Sequence, residues 1–218
     1  MKSIVAPFLD IVSASSDISD ISLQLDKLPK HLVDCFPWPV YKNETAVNFS
    51  IAASDSHVLL KFRVKEKNIR AINTTINSPV YEDSCVEFFI AFDDAGYYNF
   101  EFNCIGTRLA EYGKNRKHRR FLPPSAIEKI VTTTVIKHVE EDFYLWHLTI
   151  MMPFGTFKHH DLTNIRNQGC RANFYKCGDK LPSPHYIVWS PVFTAEPDFH
   201  QPKYFGELIF GTDASFTR

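Results

Sequence analysis

The 218-residue chain has 24 basic and 25 acidic side chains, a formal net charge of −1 and 44% hydrophobic residues. A chain of this size can bury a substantial core as one domain, so we expect a single domain over residues 1–218. The near-zero charge gives no general attraction to phosphate backbones or anionic lipid, and nucleic acid is not an expected partner. No segment reaches the roughly 20 apolar residues that a membrane helix needs.

Residues 1–40 have the weakest pattern and are expected to form an N-terminal extension or edge elements. Asp17 is a candidate N-cap for a helix that Pro29 would end, and an edge strand is the alternative. Trp38 lies between two prolines and is interpreted as a plug for one end of the core, with a ligand platform as the alternative. The N-terminus shows no apolar run before a small-residue cleavage site, so no export signal is visible. The compartment stays open, and the protein would be exported or periplasmic if a signal had been trimmed.

Two hairpins with period-two alternation follow. The first spans residues 46–64, and the second spans 79–111. In the second hairpin one face is apolar, while the opposite face carries charged and amide groups. The apolar face consists of Val86, Phe88, Ile90, Phe92, Tyr98, Phe100 and Phe102, and the polar face consists of Glu87, Asn99, Glu101 and Asn103.

The rest of the chain continues as strands and turns. The basic run at residues 113–120 is interpreted as a mobile, solvated loop, because it lacks the interleaved aromatics of a nucleic-acid site. Further strands are expected at residues 132–139, 143–152, 170–177, 186–189 and 204–210. The adjacent His159 and His160 are interpreted as surface residues, because neighbouring side chains point in different directions on regular elements.

The five cysteines contain no CxxC pair, and an odd number cannot be fully bridged within one chain. Cys85 and Cys104 lie in the same hairpin, so a disulfide between them is the alternative to buried thiols. We favour buried thiols, since cysteine often fills small buried positions.

A combination of short sequence motifs resembles the family 9 carbohydrate-binding modules and their DOMON-like relatives. An aromatic residue precedes Glu82-Asp-Ser-Cys-Val-Glu87, and YYNFEFN with a Gly-Thr pair follows at residues 97–107. Other segments typical of the family occur at residues 171–175, 189–191 and 200–206, so the resemblance covers about residues 40–210. It implies an all-β fold, a two-sheet antiparallel β-sandwich that is jelly-roll-like and has short helical turns. It also implies carbohydrate binding.

The resemblance further implies a set of binding residues. Tyr81 and Trp189 stand where the family has its two sugar-stacking aromatics, although the family carries Trp at the first position. Glu87 and Arg108 fall on the family's polar pair. Residues that would alternate outward on the same sheet form a second group: Asn103, Arg171, Asn173 and Tyr175. Such a set suits a sugar, whose C–H patches stack on rings and whose hydroxyls both donate and accept hydrogen bonds.

The expected ligand is the end of a glucan-type or xylan-type oligosaccharide or polysaccharide, bound without catalysis. Related modules accompany glycoside hydrolases, so association with such enzymes is expected, and the chain is expected to be a monomer. No cofactor is expected beyond a structural calcium ion. Asp93-Asp94 forms an oxygen-rich turn, but no spacing identifies calcium ligands.

Two alternatives remain open. A glycoside hydrolase of the xylanase type would use two carboxylates, Glu87 with Glu101 or either of them with Glu111. A haem-binding DOMON-like domain would use Met and His ligands. The available residues for haem are Met151, Met152, His185 and His200.

Overall fold

The structure is a computed structural model that describes residues 2–9, 16–140 and 142–211. The parts of the predicted domain at residues 1, 10–15, 141 and 212–218 lie outside the described residues. Two largely antiparallel sheets pack face to face, which confirms the predicted β-sandwich.

The larger sheet has eight strands in the order β1-β13-β11-β5-β6-β7-β8, and β12 also pairs with β11. Only β1 and β13 pair in parallel among these described strands. The strands are β1 Ser3–Ala6, β5 Cys85–Ala91, β6 Tyr97–Asn103, β7 Arg108–Gly113, β8 Arg119–Phe121, β11 Gly169–Cys177, β12 Tyr186–Val188 and β13 Gly206–Phe210.

The smaller sheet has five strands in the order β2-β3-β4-β10-β9. They are β2 His31–Val33, β3 Ala46–Ala53, β4 His57–Glu66, β9 Val131–Glu140 and β10 Phe143–Pro153. Two α-helices, α1 Ile18–Asp26 and α2 Pro124–Ile127, complete the regular structure. Short 3₁₀ turns span Pro39–Tyr41, Val80–Glu82, Phe154–Thr156 and Pro202–Tyr204.

The β5–β6 hairpin has the predicted two faces. Val86, Phe88 and Phe100 point into the core between the sheets, where the rings of Phe88 and Phe174 stack at 5.1 Å. On the opposite, outer face Glu87 lies directly across from Glu101 in the strand register. This face is the floor of the site described below.

Helix α1 covers part of the outer face of the smaller sheet. Its N-cap is Asp17, as predicted, because the Asp17 carboxylate accepts a hydrogen bond from the Ser19 backbone N–H at 2.8 Å. Ile21 and Leu25 are its buried positions, and they belong to a cluster that includes Leu59 of β4. The helix interpretation is therefore right.

Two further predictions are decided by the structure. The basic run is not only a loop, since Arg119–Phe121 forms β8 and pairs with β7. All five cysteines are free thiols, and four of them are buried, which favours the buried-thiol interpretation. Among the described residues, no helix combines the length and apolar character needed to cross a membrane.

Candidate functional site

A pocket of about 260 Å³ opens on the outer face of the larger sheet. Strand residues supply its floor and one wall: Glu87, Glu101, Leu109, Glu111, Arg119, Cys177 and Tyr186. Connecting segments supply the rest: Tyr81, Arg116, Asp179, Pro197, Asp198, Phe199 and His200. The volume is close to the lower limit of about 300 Å³ for small-molecule sites, which suits a ligand of one or two rings.

Two buried carboxyl groups form the floor. Glu87 and Glu101 are only 3% and 4% exposed. One Glu101 oxygen accepts a hydrogen bond from Asn99 Nδ2 at 3.0 Å, and Glu87 Oε1 accepts one from Cys177 Sγ at 3.1 Å. The second Glu101 oxygen, Oε2, has no hydrogen-bond partner among the described residues. The floor therefore offers a ligand at least one free carboxyl oxygen.

Burial changes the protonation of this acid pair. Loss of water raises the pKa of the Glu101 carboxyl to about 8, although the nearby Arg119 guanidinium opposes the rise. Desolvation also raises the pKa of Glu87 well above its usual value, and the neighbouring Glu101 charge adds to the effect. At neutral pH the pair consequently holds a proton, so it can donate as well as accept hydrogen bonds.

Arg119 of β8 closes one side of the pocket. Its Nη1 lies 2.6 Å from Glu111 Oε2, and both side chains are mostly buried. Burial makes the attraction between these two charges stronger than it would be for a solvated pair. Arg116, from the loop before β8, lines the same pocket. The predicted solvated run therefore contributes the cationic part of the site.

Tyr81 is the exposed aromatic of the pocket, with 39% of its surface accessible. It lies on the 3₁₀ turn Val80–Glu82, and its carbonyl accepts a hydrogen bond from the Asp179 backbone N–H at 3.1 Å. A 3.0 Å ion pair between Lys180 and Glu82 joins the same two segments. The turn is thus tied to the loop after β11, which orients the Tyr81 ring at the pocket.

Tyr186 of β12 supplies a second aromatic wall. Its ring packs edge-on against Tyr41 at 4.9 Å and against Trp38 at 6.3 Å. Trp38 itself is buried and donates its indole N–H to the Thr194 carbonyl at 3.0 Å, so it plugs the structure behind the pocket. These contacts hold the Tyr186 ring in one place.

His200 forms a neutral polar wall. Its ring stacks on Phe89 at 5.0 Å, and its Nδ1 is 3.0 Å from the Tyr97 hydroxyl. Burial, helped by the positive charges of Arg119 and Arg116, lowers the pKa of His200 to about 2. The imidazole is therefore uncharged at neutral pH and adds no positive charge to the pocket.

Tyr81 and Glu87 are the two predicted binding residues that line this pocket. Trp189 does not, because it is 2% exposed and lies in the core between the sheets. Its ring packs edge-on against Phe174 at 5.5 Å and Phe49 at 6.2 Å. The predicted stacking role of Trp189 is wrong, since strand alternation after β12 turns this side chain inward and leaves Tyr186 facing outward.

Arg108 is also on the wrong face for its predicted role. It pairs with Phe102, whose side chain points into the core, whereas Glu87 points outward. Its Nη1 donates to Thr132 Oγ1 at 3.4 Å, on the side of the smaller sheet. Arg108 thus does not form a polar pair with Glu87.

The second group of predicted residues supports the fold instead of lining the pocket. Asn103 is fully buried and donates to the Asp83 carboxylate at 2.9 Å. Asn173 is equally buried and exchanges hydrogen bonds with the Ser190 backbone. Tyr175 is buried, and its hydroxyl donates to the Phe199 carbonyl at 3.0 Å.

Arg171 is partly exposed but lies elsewhere on the larger sheet. Its guanidinium pairs with Asp94 at 2.6 Å, and it lines a different depression, beside Lys2 and Glu207. Burial and register therefore remove Asn103, Asn173, Tyr175 and Arg171 from the site.

Sequence reasoning missed most of the pocket walls. The alternation of β5 and β6 places Glu101 beside Glu87, but the family motif gives Glu101 no sugar-binding role. Arg116 and Arg119 lie in a run of basic residues, and such a composition is typical of a solvated loop. Asp179, Tyr186 and His200 come from segments that pair or fold over β11 only in three dimensions, and short motifs give no signal for this.

The described residues give little support for a metal or haem site. Cys85, Glu87 and Cys177 bring one ligand atom each within 4.8 Å of one another. Burial raises the pKa of Cys85 to about 12 and raises the pKa of Cys177 also, which opposes the thiolate form that metals bind. Met151 and His200 belong to opposite faces of the sandwich, so they do not form a haem ligand pair.

The Asp93-Asp94 turn does not fit a calcium site as it stands. The Asp93 carboxylate accepts from the Ala95 backbone N–H at 2.8 Å and lies 3.3 Å from His160 Nε2, and Asp94 pairs with Arg171. Each carboxylate therefore has protein partners, and the turn alone does not provide a set of calcium ligands. A structural calcium ion elsewhere in the protein stays a prediction.

A second cavity, of about 460 Å³, lies at another end of the sandwich. It is lined by Asn43, Glu66, His185 and neighbouring polar residues, with no Tyr, Trp or Phe among the described lining residues. A sugar there would lack a stacking surface, so the smaller pocket is the better site.

The fold and the pocket define a class: β-sandwich domains that present aromatic, carboxyl and guanidinium groups to a polyhydroxylated ligand. The family model for carbohydrate-binding family 9 matches residues 17–210, and the chain belongs to this family. Carbohydrate binding is accordingly its function, and the comparisons favour neither the hydrolase nor the haem alternative.

Solved structures agree with this assignment. A candidate carbohydrate-binding protein from Bacteroides uniformis has 31% identity and a TM-score of 0.87, with 96% of this chain and 99% of that chain covered. A family 9 carbohydrate-binding module from Caldicellulosiruptor kristjanssonii in complex with glucose has 14% identity and a TM-score of 0.63, with both chains fully covered. The same module with cellotriose has 15% identity and a TM-score of 0.64, covering 100% and 97%. No curated protein matches the chain.

Proposed function

We propose that the pocket on the larger sheet binds the end of a β-glucan-type or xylan-type chain, with Tyr81 as the stacking surface. The observation that carries the proposal is the exposed Tyr81 ring at the rim of a pocket whose floor is the buried acid pair Glu87 and Glu101. A pyranose placed on the ring would present its hydroxyls to the carboxyl groups.

In this proposal the two aromatic walls are Tyr81 and Tyr186, instead of the predicted pair of Tyr81 and Trp189. Tyr186 is braced by Tyr41 and Trp38, so little side-chain freedom is lost when a ligand packs against it. The small volume of the pocket favours a chain end over a long internal segment. The glucose and cellotriose bound by the Caldicellulosiruptor module make short glucans the first ligands to test.

Association with glycoside hydrolases is part of the proposal. A domain that holds a polysaccharide end raises the local concentration of an attached or associated enzyme at its substrate. Cellulose and xylan are the polymers to compare, because the polymer that binds more tightly indicates the class of hydrolase with which the domain associates.

The test is calorimetric titration of the purified chain with cellobiose, cellotriose and xylobiose. We expect Tyr81→Ala to weaken binding by the order of 1 kcal/mol through loss of the stacking face. Glu87→Gln, which keeps the shape but alters hydrogen bonding at the pocket floor, is expected to weaken it similarly. The matched control is Tyr144→Ala, which removes a Tyr from β10 of the smaller sheet.

Unchanged affinity in both pocket variants, or an equal loss in the Tyr144→Ala control, would count against the proposed site. Thermal denaturation of each variant verifies that it is folded. Reducing-sugar release from the same oligosaccharides separates binding from hydrolysis, and binding alone predicts no release.

A further inference from the structure

The pocket has more acidic than basic groups. Five carboxyl groups line it, from Glu87, Glu101, Glu111, Asp179 and Asp198, against two guanidinium groups. One of those guanidinium groups, Arg119, is already engaged with Glu111 at 2.6 Å. The floor is thus acidic without a matching cation.

In the described part of the chain, no protein cation contacts the acid pair, although Arg119 acts on it from a greater distance. Among the described residues, no Lys, Arg or His nitrogen lies within ion-pair distance of Glu87 or Glu101. The groups that donate to the pair are the neutral Cys177 thiol from β11 and the neutral Asn99 amide from β6. His200, on the facing loop, is uncharged, as argued above, and Asp179 adds a further acid.

Glu101 Oε2 lacks a hydrogen-bond partner among the described residues, and in the ionised form of the carboxyl it needs a donor from outside the protein. It is a buried carboxyl oxygen with no partner, and an unsatisfied buried acceptor costs free energy. A neutral hydroxyl can supply one hydrogen bond, but a charged donor forms a bond about twice as strong and supplies the missing positive charge. The ammonium group of an amino sugar meets both needs with the size and hydroxyl pattern of an ordinary sugar.

We propose that this pocket prefers sugars that carry a free primary amine, with the ammonium group bound between Glu87 and Glu101. This preference rests on the proposed function, because it names the sugar class that the same pocket selects. On binding, the ammonium group stabilises the ionised form of the pair, so the pair releases a proton to the solvent.

The test compares three ligands by calorimetry at pH 6, where the sugar amine enters as an ammonium group: cellobiose, the β-1,4-linked dimer of glucosamine, and its N-acetylated form. The acetyl group removes the charge but keeps the nitrogen. We expect the glucosamine dimer to bind at least about tenfold more tightly than cellobiose and more tightly than the acetylated dimer. Titrations in two buffers with different heats of ionisation should also show proton release for the glucosamine dimer and not for cellobiose.

Glu101→Gln is the diagnostic variant, because it removes the charge with little change in shape. It should abolish both the preference and the proton release, and the preference is calculated as the ratio of the affinities of this variant for the glucosamine dimer and for cellobiose. Glu207→Gln is the control, since Glu207 lies on β13 and hydrogen-bonds Ser3, outside the pocket. This control should leave both the preference and the proton release unchanged.

The outcomes separate the two proposals. Equal affinity for cellobiose and the glucosamine dimer, or a preference that survives in Glu101→Gln, would overturn the amino-sugar preference and leave glucan binding in place. Binding of no sugar by the folded wild-type chain would overturn the proposed function, and the preference with it.

Discussion

At the scale of single residues, Glu101 shows how position on a sheet changes the chemistry of a side chain. A glutamate that alternates outward on a strand is usually solvated, but here the loops around the pocket leave it 4% exposed. Its carboxyl therefore loses water without gaining a cation in direct contact, and its pKa rises to about 8 although the nearby Arg119 opposes the rise. The site keeps an incompletely satisfied group that a ligand can satisfy.

This raised pKa predicts how stability changes with pH. Between the ordinary carboxyl pKa and about 8, the folded state binds more protons at Glu101 than the unfolded chain does, so the free energy of unfolding falls as pH rises. Glu101→Gln removes this loss. We expect the variant to exceed the wild type in stability at pH 9 by the order of 1 kcal/mol or more, and to lose that advantage toward pH 5. Urea denaturation at both pH values measures the difference, and a pH-independent difference would refute the assignment.

Trp189 is the opposite case to Glu101, because it was expected to bind the ligand but is part of the core. Truncating a fully packed aromatic leaves a cavity and typically costs about 3–5 kcal/mol. We expect Trp189→Ala to lower the free energy of unfolding by this amount in urea denaturation. Phe193→Ala is the control, because Phe193 is 72% exposed and its removal should cost far less. A Trp189→Ala protein of wild-type stability with weakened sugar binding would restore the original stacking role.

At the scale of elements, a buried ion pair connects the two sheets. Lys176 of β11 lies 3.0 Å from Glu66 Oε2 of β4, and both side chains are almost inaccessible to water. Glu66 Oε1 also accepts the Trp146 indole N–H at 2.6 Å. Removal of one partner would leave the other charge buried and unpaired, whereas replacement of both charges need not be costly.

The ion pair between Lys176 and Glu66 gives a prediction with an internal control. Lys176→Met should lower the free energy of unfolding by about 3–5 kcal/mol, because it leaves the Glu66 carboxylate without its cation. The double variant Glu66→Gln with Lys176→Met keeps an acceptor for Trp146 and removes both charges, so it should recover most of the loss. Chemical denaturation of the two variants measures both effects. Equal losses in the single and double variants would show that packing, and not charge, determines the cost.

Strand β8 shows where element-level prediction from sequence fails. A dense run of Lys and Arg is normally solvated, and nothing local in it indicates pairing with β7. In the structure β8 does pair with β7, and Arg119 Nη1 lies 2.6 Å from Glu111 Oε2 of that strand. Charge composition alone therefore could not locate the cationic wall of the pocket.

At the scale of the whole molecule, the β-sandwich could be predicted from the sequence, because apolar and polar residues alternate along its strands. Strand alternation correctly separated Phe88 and Phe100, in the core, from Glu87 and Glu101, on the outer face. The pocket was predicted only in part, since its walls come from segments distant in sequence. The family motif predicted Tyr81 and Glu87, which do line the pocket, but it could not show that Trp189 turns inward after β12.

The account depends on the sugar lying in the pocket on the larger sheet, and a crystal structure of the chain with cellotriose tests this most directly. We expect the terminal ring of the sugar to stack on Tyr81, with a hydroxyl within hydrogen-bond distance of Glu87 or Glu101. Cellotriose bound in the cavity beside Asn43 and His185, or elsewhere with this pocket empty, would contradict the account.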